Sequence, residues 1–476
     1  MRVGNLYKKL DLKINHKISK VVSNSKEVVD NSIFVAIKGY NDNGEKYIEE
    51  AITRGAKTII TSSDFKSDKV VNIIKVKDTK KELGRILKKL NYHKLKNFKM
   101  IAVTGTNGKT TVVNLLYRYF RYLNFPVILF SSNGNYVNNK YYSTNNTTPD
   151  ILTIYNTIIS SNLKKGYVII EVSSQAISEK RVFDLLFDVV CITNISHDHL
   201  DYHSNLTDYF YTKALLMYQT KEDGVIVLNG DDDKYSKLLS LSKNNVVSFG
   251  SGFENDYRFE IVDINIDKTL FFIENSTNSI GLETILIGEF NIRNILCVYT
   301  ILKVLNITLA QFKDFIKNVE RIEGRMNVYT INHRQIIIDY AHTPIAVETI
   351  LKTIKEIKNT NLRLVIGCGG NRDRLKRPLI GKISCEYADY VYFTEDNSRN
   401  ENVNKILNEI TCDLTNTNYT IIESRYKAIN KAILDSKIGD TIVIMGKGIE
   451  KTKVDEARYL SDIEMVLEIC KRLDNE

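Results

Sequence analysis

The residues with the clearest chemistry lie in Val103-Thr104-Gly105-Thr106-Asn107-Gly108-Lys109-Thr110-Thr111. This stretch follows the apolar run Met100-Ile101-Ala102 and opens a helical pattern from Val112 to Leu123. A strand, a glycine turn and a helix N-terminus together make an anion site. Backbone N–H groups and the positive end of the helix dipole then face the ligand. Lys109 adds a full charge, and Thr110 offers a hydroxyl to Mg²⁺. The first glycine lies three residues before Gly108 rather than five, so the spacing is not that of the standard phosphate loop.

Two more motifs follow apolar runs. Glu171-Val172-Ser173-Ser174-Gln175 comes after Tyr167 to Ile170. An acid at a strand's carboxyl end, in the same sheet as an anion loop, is placed to hold Mg²⁺ with Thr110. The alternative is an acidic helix cap. Thr193-Asn194-Ile195-Ser196-His197-Asp198-His199-Leu200-Asp201-Tyr202-His203 comes after Val189 to Ile192. Three of the seven histidines crowd into it, and clusters of histidine and carboxylate bind metals or shuttle protons. No cysteine joins them, which speaks against zinc, and His199 is the expected second Mg²⁺ contact. Lys213 stands in the aromatic and apolar segment Tyr209 to Tyr218. Spacing alone makes it a snorkelling surface lysine.

Four C-terminal motifs also follow apolar runs. They are Asp339-Tyr340-Ala341-His342-Thr343-Pro344, Gly367-Cys368-Gly369-Gly370-Asn371-Arg372-Asp373-Arg374, Thr394-Glu395-Asp396-Asn397-Ser398-Arg399 and Gly446-Lys447-Gly448-Ile449-Glu450. Each alone is also compatible with a plain turn. Four strands ending in such residues predict one crevice, and the glycines permit close backbone approach to a ligand.

Positioning these motifs requires strands that end at them. Val127 to Phe130, Tyr167 to Ile170, Val189 to Ile192 and Val225 to Leu228 are short continuous apolar runs of the kind that suits parallel strands buried on both faces. Helical patterns separate them, and residues 244–285 read as a β-rich insertion. The runs Ile336 to Ile338, Leu364 to Ile366, Tyr390 to Phe393 and Ile442 to Ile444 begin a further, Rossmann-like series. The expected fold is α/β with three domains: a small N-terminal α/β unit over 1–97, a central P-loop-type domain with a mostly parallel sheet over 98–323, and a Rossmann-like domain over 324–476. A length of 476 residues suits about three domains of ~150 residues.

Composition narrows the class. With 43% apolar residues the chain can bury real cores, yet no run reaches the ~18 apolar residues of a membrane helix. Met1 to Leu12 lacks a signal-type apolar segment, so a cytoplasmic protein is expected. The cysteines, six in number, are scattered, which argues against a disulfide framework. The net charge of +9 is spread along the chain, which favours a polyanionic small substrate such as a nucleotide over nucleic acid. Three of the four prolines, Pro149, Pro344 and Pro378, sit beside the motifs, where they are expected to fix turns.

Taken together, TGTNGKTT, EVSS, TNISHDHLDYH, YAHTP, GCGGNRDR and GKG resemble the Mur ligases over nearly the whole length, and most closely the subgroup that adds the third residue of the peptidoglycan stem. The resemblance implies an ATP- and Mg²⁺-dependent ligase that phosphorylates the free carboxylate of a UDP-linked muramoyl dipeptide. An amine then attacks the acyl phosphate. It implies phosphate contacts from Lys109, Mg²⁺ ligation by Thr110 and Glu171, and a second Mg²⁺ served by His199 and a carbamylated Lys213. Asn291 and Asn294 match the adenine side. Arg325 and Asp339 match the phosphate and ribose contacts, with His342 nearby. The UDP-sugar falls to Ser25, Asn146, Thr147, Thr148, Ser173, Glu179 and Arg181. The amino acid falls to Arg372, Asp396, Asn397, Arg399, Gly446 and Glu450, which favours meso-diaminopimelate. L-Lysine, another diamino acid or a polyglutamate-type acceptor stays open. The chain departs from the family with Asn397-Ser398-Arg399 where proline usually stands second, Ile449 in place of histidine, Asn24-Ser25-Lys26 for Asp-Ser-Arg, and Glu179 for glutamine. The implied protein is a monomer with small-molecule partners.

Overall fold

The computed structural model describes residues 1–39, 42–358, 360–455 and 457–473. They fall into two units, one of residues 1–102, 123–190 and 215–224, the other of residues 103–122, 191–214 and 225–476.

In the first unit, Val21–Val22 (β1), Ser32–Val35 (β2), Ala56–Thr61 (β3) and Asn72–Lys75 (β4) form a parallel sheet in sequence order. β2 is buried along its whole length, as a continuous apolar run should be. The helix Thr79–Leu95 starts at Asp78, whose side chain accepts from Lys81 N, and buries Leu83, Ile86 and Leu87. A second set comprises Phe98–Thr104 (β5), Val127–Ser131 (β6), Gly134–Val137 (β7), Lys140–Tyr142 (β8), Gly166–Glu171 (β9) and Phe187–Ile192 (β10), in the order β10-β5-β9-β6-β7-β8. β6 and β9 pair in parallel, and β7 and β8 add an antiparallel edge. The sequence did not announce this edge, because β8 is exposed throughout and carries no apolar run.

In the second unit, Thr220–Asn229 (β11), Asn245–Gly250 (β12), Tyr257–Ile264 (β13), Thr269–Glu274 (β14) and Ser279–Thr284 (β15) follow in order. β12 to β15 are the expected β-rich insertion; β13, β14 and β15 are antiparallel. The other sheet comprises Asn327–Ile331 (β16), Arg334–Asp339 (β17), Leu362–Ile366 (β18), Tyr390–Phe393 (β19), Tyr419–Ile421 (β20) and Thr441–Met445 (β21), ordered β16-β17-β21-β18-β19-β20. Only β16–β17 is antiparallel. Alternate side chains feed two cores. Ile337, Leu364 and Val443 pack with the helices Pro344–Ile357 and Lys376–Tyr387. Ile336, Val365 and Ile444 pack with Arg425–Asp435 and Asp462–Leu473. Helices on both faces of a mostly parallel sheet give the expected α/β class, and ligands in such sheets sit at the carboxyl ends of strands. Pro344 and Pro378 start helices rather than shaping free turns; each lies in a first turn, where the missing N–H is an orphan anyway.

Arg425 and Asp462 are both fully buried, joined at 2.7 and 2.8 Å, and Arg425 also donates to Met445 O. Removing one partner leaves an uncompensated buried charge. Asp462→Ala is expected to cost ~3–5 kcal/mol, read as a lower urea midpoint for the second unit's unfolding; an unchanged midpoint would show the pair contributes nothing.

Candidate active site

In the second unit the loop after β5 follows a path open only to glycine at two points. Gly105 has φ +148° and Gly108 φ +84°. A Cβ on Gly105 would lie 1.9 Å from Thr193 Oγ1, and one on Gly108 2.4 Å from Asn294 Oδ1. The residues after β10 hold this loop. Asn194 Oδ1 accepts from Asn107 N at 2.9 Å, Asn194 O accepts from Thr106 N at 2.8 Å, and Thr193 Oγ1 donates to Asn107 O at 2.6 Å. Thr110 and Thr111 lie buried in the first turn of the helix Lys109–Tyr122. Lys109 Nζ turns back to Gly105 O (2.9 Å) and Thr106 O (2.7 Å).

Lys213 is not the surface lysine its spacing suggests. It is 1% exposed, and its Nζ donates to Gly105 O at 2.7 Å and lies 4.7 Å from the Tyr209 ring centre. Among the described residues no carboxylate pairs with it. Burial, reinforced by the charge of Lys109, pushes its pKa far below the usual lysine value. Tyr209, also fully buried, shares a hydrogen bond with Thr106 Oγ1 (3.1 Å).

His199 adopts a left-handed φ of +55° and lies 3.3 Å from Asp198. Burial, with Lys109 and Lys213 nearby, lowers it to about 4 despite Asp198, so the imidazole is neutral at physiological pH. Burial would raise Asp198, but the charges of His199, His342 and Lys376 prevail and hold it at about 2. The same loop reaches the glycine motif after β18. His197 Nε2 meets Asp373 at 2.8 Å, and Arg372 Nη1 donates to Asp201 at 3.1 Å.

At the C-terminal sheet the strand ends converge as expected. A Cβ on Gly370 would fall 1.9 Å from Ser398 O, and one on Gly446 2.6 Å from Asp396 Oδ2. Asn397 Nδ2 donates to Glu450, Lys447 Nζ donates to Asn397 Oδ1 (2.7 Å), and Tyr340 OH donates to Glu450 Oε1 (3.0 Å). Arg399, at φ +51°, folds back onto Gly370 O (2.8 Å). Arg325 Nη2 donates to Thr110 Oγ1 (3.1 Å). The buried Asp339 accepts from Met326 N (2.8 Å) and Ala341 N (2.6 Å), so its carboxylate braces the chain on both sides. His342 bonds Tyr340 O, and burial lowers its pKa. Asn291 donates to Ile287 O, just ahead of the helix Glu289–Val304 that carries it.

In the first unit, Thr148 is the hub. Its hydroxyl donates to Glu171 O (2.8 Å) and accepts from Ser173 N (3.1 Å), while its carbonyl accepts from Arg181 (3.0 Å). Arg181 in turn pairs with Glu179 at 2.7 Å. Glu171 is not a helix cap. Ser173 caps the helix Ser174–Ser178 by accepting from Ala176 N, and Glu171 accepts from Ser132 N (2.8 Å). Ser132 reaches Thr147 at 3.1 Å, and Asn146 O closes a turn with Thr144. Ser25 is not part of this group; its buried hydroxyl donates to Glu50. Tyr209, Tyr340, Lys447 and Asp373 were not singled out from sequence. Only Lys447 and Asp373, as charges inside quoted motifs, gave a signal that could have found them.

Known proteins are similar to this chain in sequence and in fold. The Mur ligase middle domain matches residues 103–302, and the Mur ligase glutamate ligase domain matches residues 324–448. A UDP-N-acetylmuramoyl-L-alanyl-D-glutamate–2,6-diaminopimelate ligase of Aquifex aeolicus is 35% identical over 466 residues, covering 95% of this chain and 94% of its own. The chain belongs to the Mur ligase family. This Mur ligase is also 33% identical to UDP-N-acetylmuramyl-tripeptide synthetase 2 of Oceanobacillus iheyensis, over 97% of this chain and 96% of that protein. A solved UDP-N-acetylmuramoyl-L-alanyl-D-glutamate–2,6-diaminopimelate ligase superposes with a TM-score of 0.72 at 25% identity, covering 100% and 99% of the two chains. As a family member it is an ATP-dependent, amide-forming ligase. No helix among the described residues is long and apolar enough to cross a membrane.

The glycine loop of this Mur ligase has no room at Gly108. Gly108→Ala is expected to weaken nucleotide binding by about a hundredfold or more, since strain and clash fall within the loop itself. Titration with a fluorescent ATP analogue measures it; wild-type affinity would mean the loop relaxes at no cost.

Proposed function

We propose that this ligase adds a diamino acid, meso-diaminopimelate, to UDP-N-acetylmuramoyl-L-Ala-D-Glu through an acyl-phosphate intermediate. The observation that carries this is the Glu450 carboxylate, held by Tyr340 and Asn397 at the strand ends that also bear Arg372 and Arg399. A carboxylate and two guanidiniums can pair with the distal ammonium and carboxylate of such an acid. Three relatives that match over nine-tenths or more of this chain carry the diaminopimelate-adding activity in their names.

In this reading residues 1–97 and the Thr148 cluster take the UDP-sugar substrate, with Ser25, Asn146, Thr147, Ser173, Glu179 and Arg181 as contacts. Residues 98–323 take ATP, and residues 324–476 the amino acid. Lys109 swings from its carbonyls to the phosphates, and the backbone N–H groups of Gly105 to Thr111 cradle them. Asn291, Asn294, Arg325, Asp339 and His342 surround the rest of the nucleotide.

The residues fit Mg²⁺. His199 offers a neutral imidazole, Thr110 a hydroxyl, and Lys213 a buried amine whose lowered pKa favours attack on CO₂, forming an N–C bond and releasing one N–H proton. The resulting carbamate is an anionic ligand. Glu171 is a further ligand by its family motif. Bound Mg²⁺ supplies charge neutralisation for phosphoryl transfer, a reaction that needs positioning more than covalent help. The ligase acts as a cytoplasmic monomer on small molecules.

Phosphate release from ATP, with UDP-N-acetylmuramoyl-L-Ala-D-Glu and each diamino acid in turn, tests the assignment. Release with diaminopimelate alone is expected. Release with L-lysine alone would keep the reaction and overturn the acceptor, and silence with all would overturn both. Lys213→Ala is expected to lower kcat by about two orders of magnitude or more, with partial rescue by formate or acetate in place of the carbamate. Near-normal turnover would remove Lys213 from the metal site.

A further inference from the structure

One unbroken line of contacts in the second unit joins the phosphate loop to the amino-acid side, and it passes through Tyr340. Thr110 Oγ1 accepts from Arg325 Nη2 at 3.1 Å. The Arg325 guanidinium lies 4.5 Å from the centre of the Tyr340 ring. Tyr340 OH donates to Glu450 Oε1 at 3.0 Å, and Glu450 Oε2 accepts from Asn397 Nδ2. Asn397 Oδ1 accepts from Lys447 Nζ at 2.7 Å. Because a lysine has no acceptor, the Asn397 carbonyl must face Lys447 and its NH₂ must face Glu450. The buried Lys447 thereby fixes the amide's orientation.

We propose that Tyr340 is a positioning residue that aims Glu450 at the acceptor's distal ammonium and makes acceptor binding depend on the nucleotide side. The two faces of its chemistry serve different neighbours. The ring holds a guanidinium by cation–π attraction, and the hydroxyl gives a charge-assisted hydrogen bond to the carboxylate. Two donors occupy Glu450, one on each oxygen. A carboxylate has about four lone-pair sites, so room is left for an ammonium. A phosphate group at the Thr110 turn draws on Arg325, and any shift of Arg325 bears directly on the ring that orients Glu450. No other side chain touches both Arg325 and Glu450 among the described contacts. The inference rests on Glu450 as an acceptor contact.

Steady-state kinetics of the full chain separate these roles. Tyr340→Phe keeps the ring and loses the hydroxyl. It is expected to raise the diamino-acid KM roughly tenfold, the effect of losing a hydrogen bond to a charged group, with kcat and the ATP KM within about threefold. Tyr340→Leu, which loses the ring as well, is expected to raise the ATP KM too. Glu450→Gln is the benchmark, and adding Tyr340→Phe to it is expected to cost nothing further, since the two act as one unit. A diamino-acid KM raised by Glu450→Gln but not by Tyr340→Phe overturns the inference alone. A diamino-acid KM untouched by Glu450→Gln overturns the acceptor reading of Glu450, and the role of Tyr340 with it. An ATP KM unaffected in Tyr340→Leu breaks the link to the nucleotide side.

Discussion

Two lysines reach for one carbonyl oxygen. Gly105 O accepts from Lys109 at 2.9 Å and from Lys213 at 2.7 Å, and the second lysine is wholly buried. Two full positive charges so close together in a low dielectric repel strongly, and burial adds to the cost of charging the inner one. Burial first, and the repulsion second, push the pKa of Lys213 well below the usual lysine value. The glycine path of the loop brings both amines onto the same carbonyl. Lys109 also donates to Thr106 O at 2.7 Å.

The neighbouring histidine follows from the same source. His199 is neutral because of its burial and because both lysines sit nearby, while Asp198 remains ionised beneath it. A neutral imidazole and an amine of lowered pKa thus lie beside the glycine loop. The loop, the histidine turn and the glycine motif are tied together by His197–Asp373 and Arg372–Asp201. Distant stretches of sequence are thus held in register by side-chain pairs.

Much of this was readable from the sequence, and for definite reasons. The runs at Val127, Tyr167, Val189, Ile336, Leu364 and Ile442 became strands because an unbroken apolar run has no other way to bury both faces. Motifs placed after them fell at strand ends. Three things were not legible. Lys213 looked like a surface residue because nothing local distinguishes a buried lysine from a snorkelling one. Ser173, not Glu171, caps its helix, a choice set by backbone trace rather than by residue type. The partners of Arg372, Asn397 and Tyr340 come from segments up to 171 residues away, and a single sequence carries no record of such pairings.

The Arg372–Asp201 pair sets a thermodynamic condition on the proposed binding of a carboxylate at this arginine. The arginine already has an anionic partner, so an incoming acid does not enter an empty positive site. Where it displaces Asp201, the free energy gained is the difference between two ion pairs. Charge alone then discriminates little among anions. A ligand must offer a better fit than Asp201 or satisfy groups elsewhere at the same time.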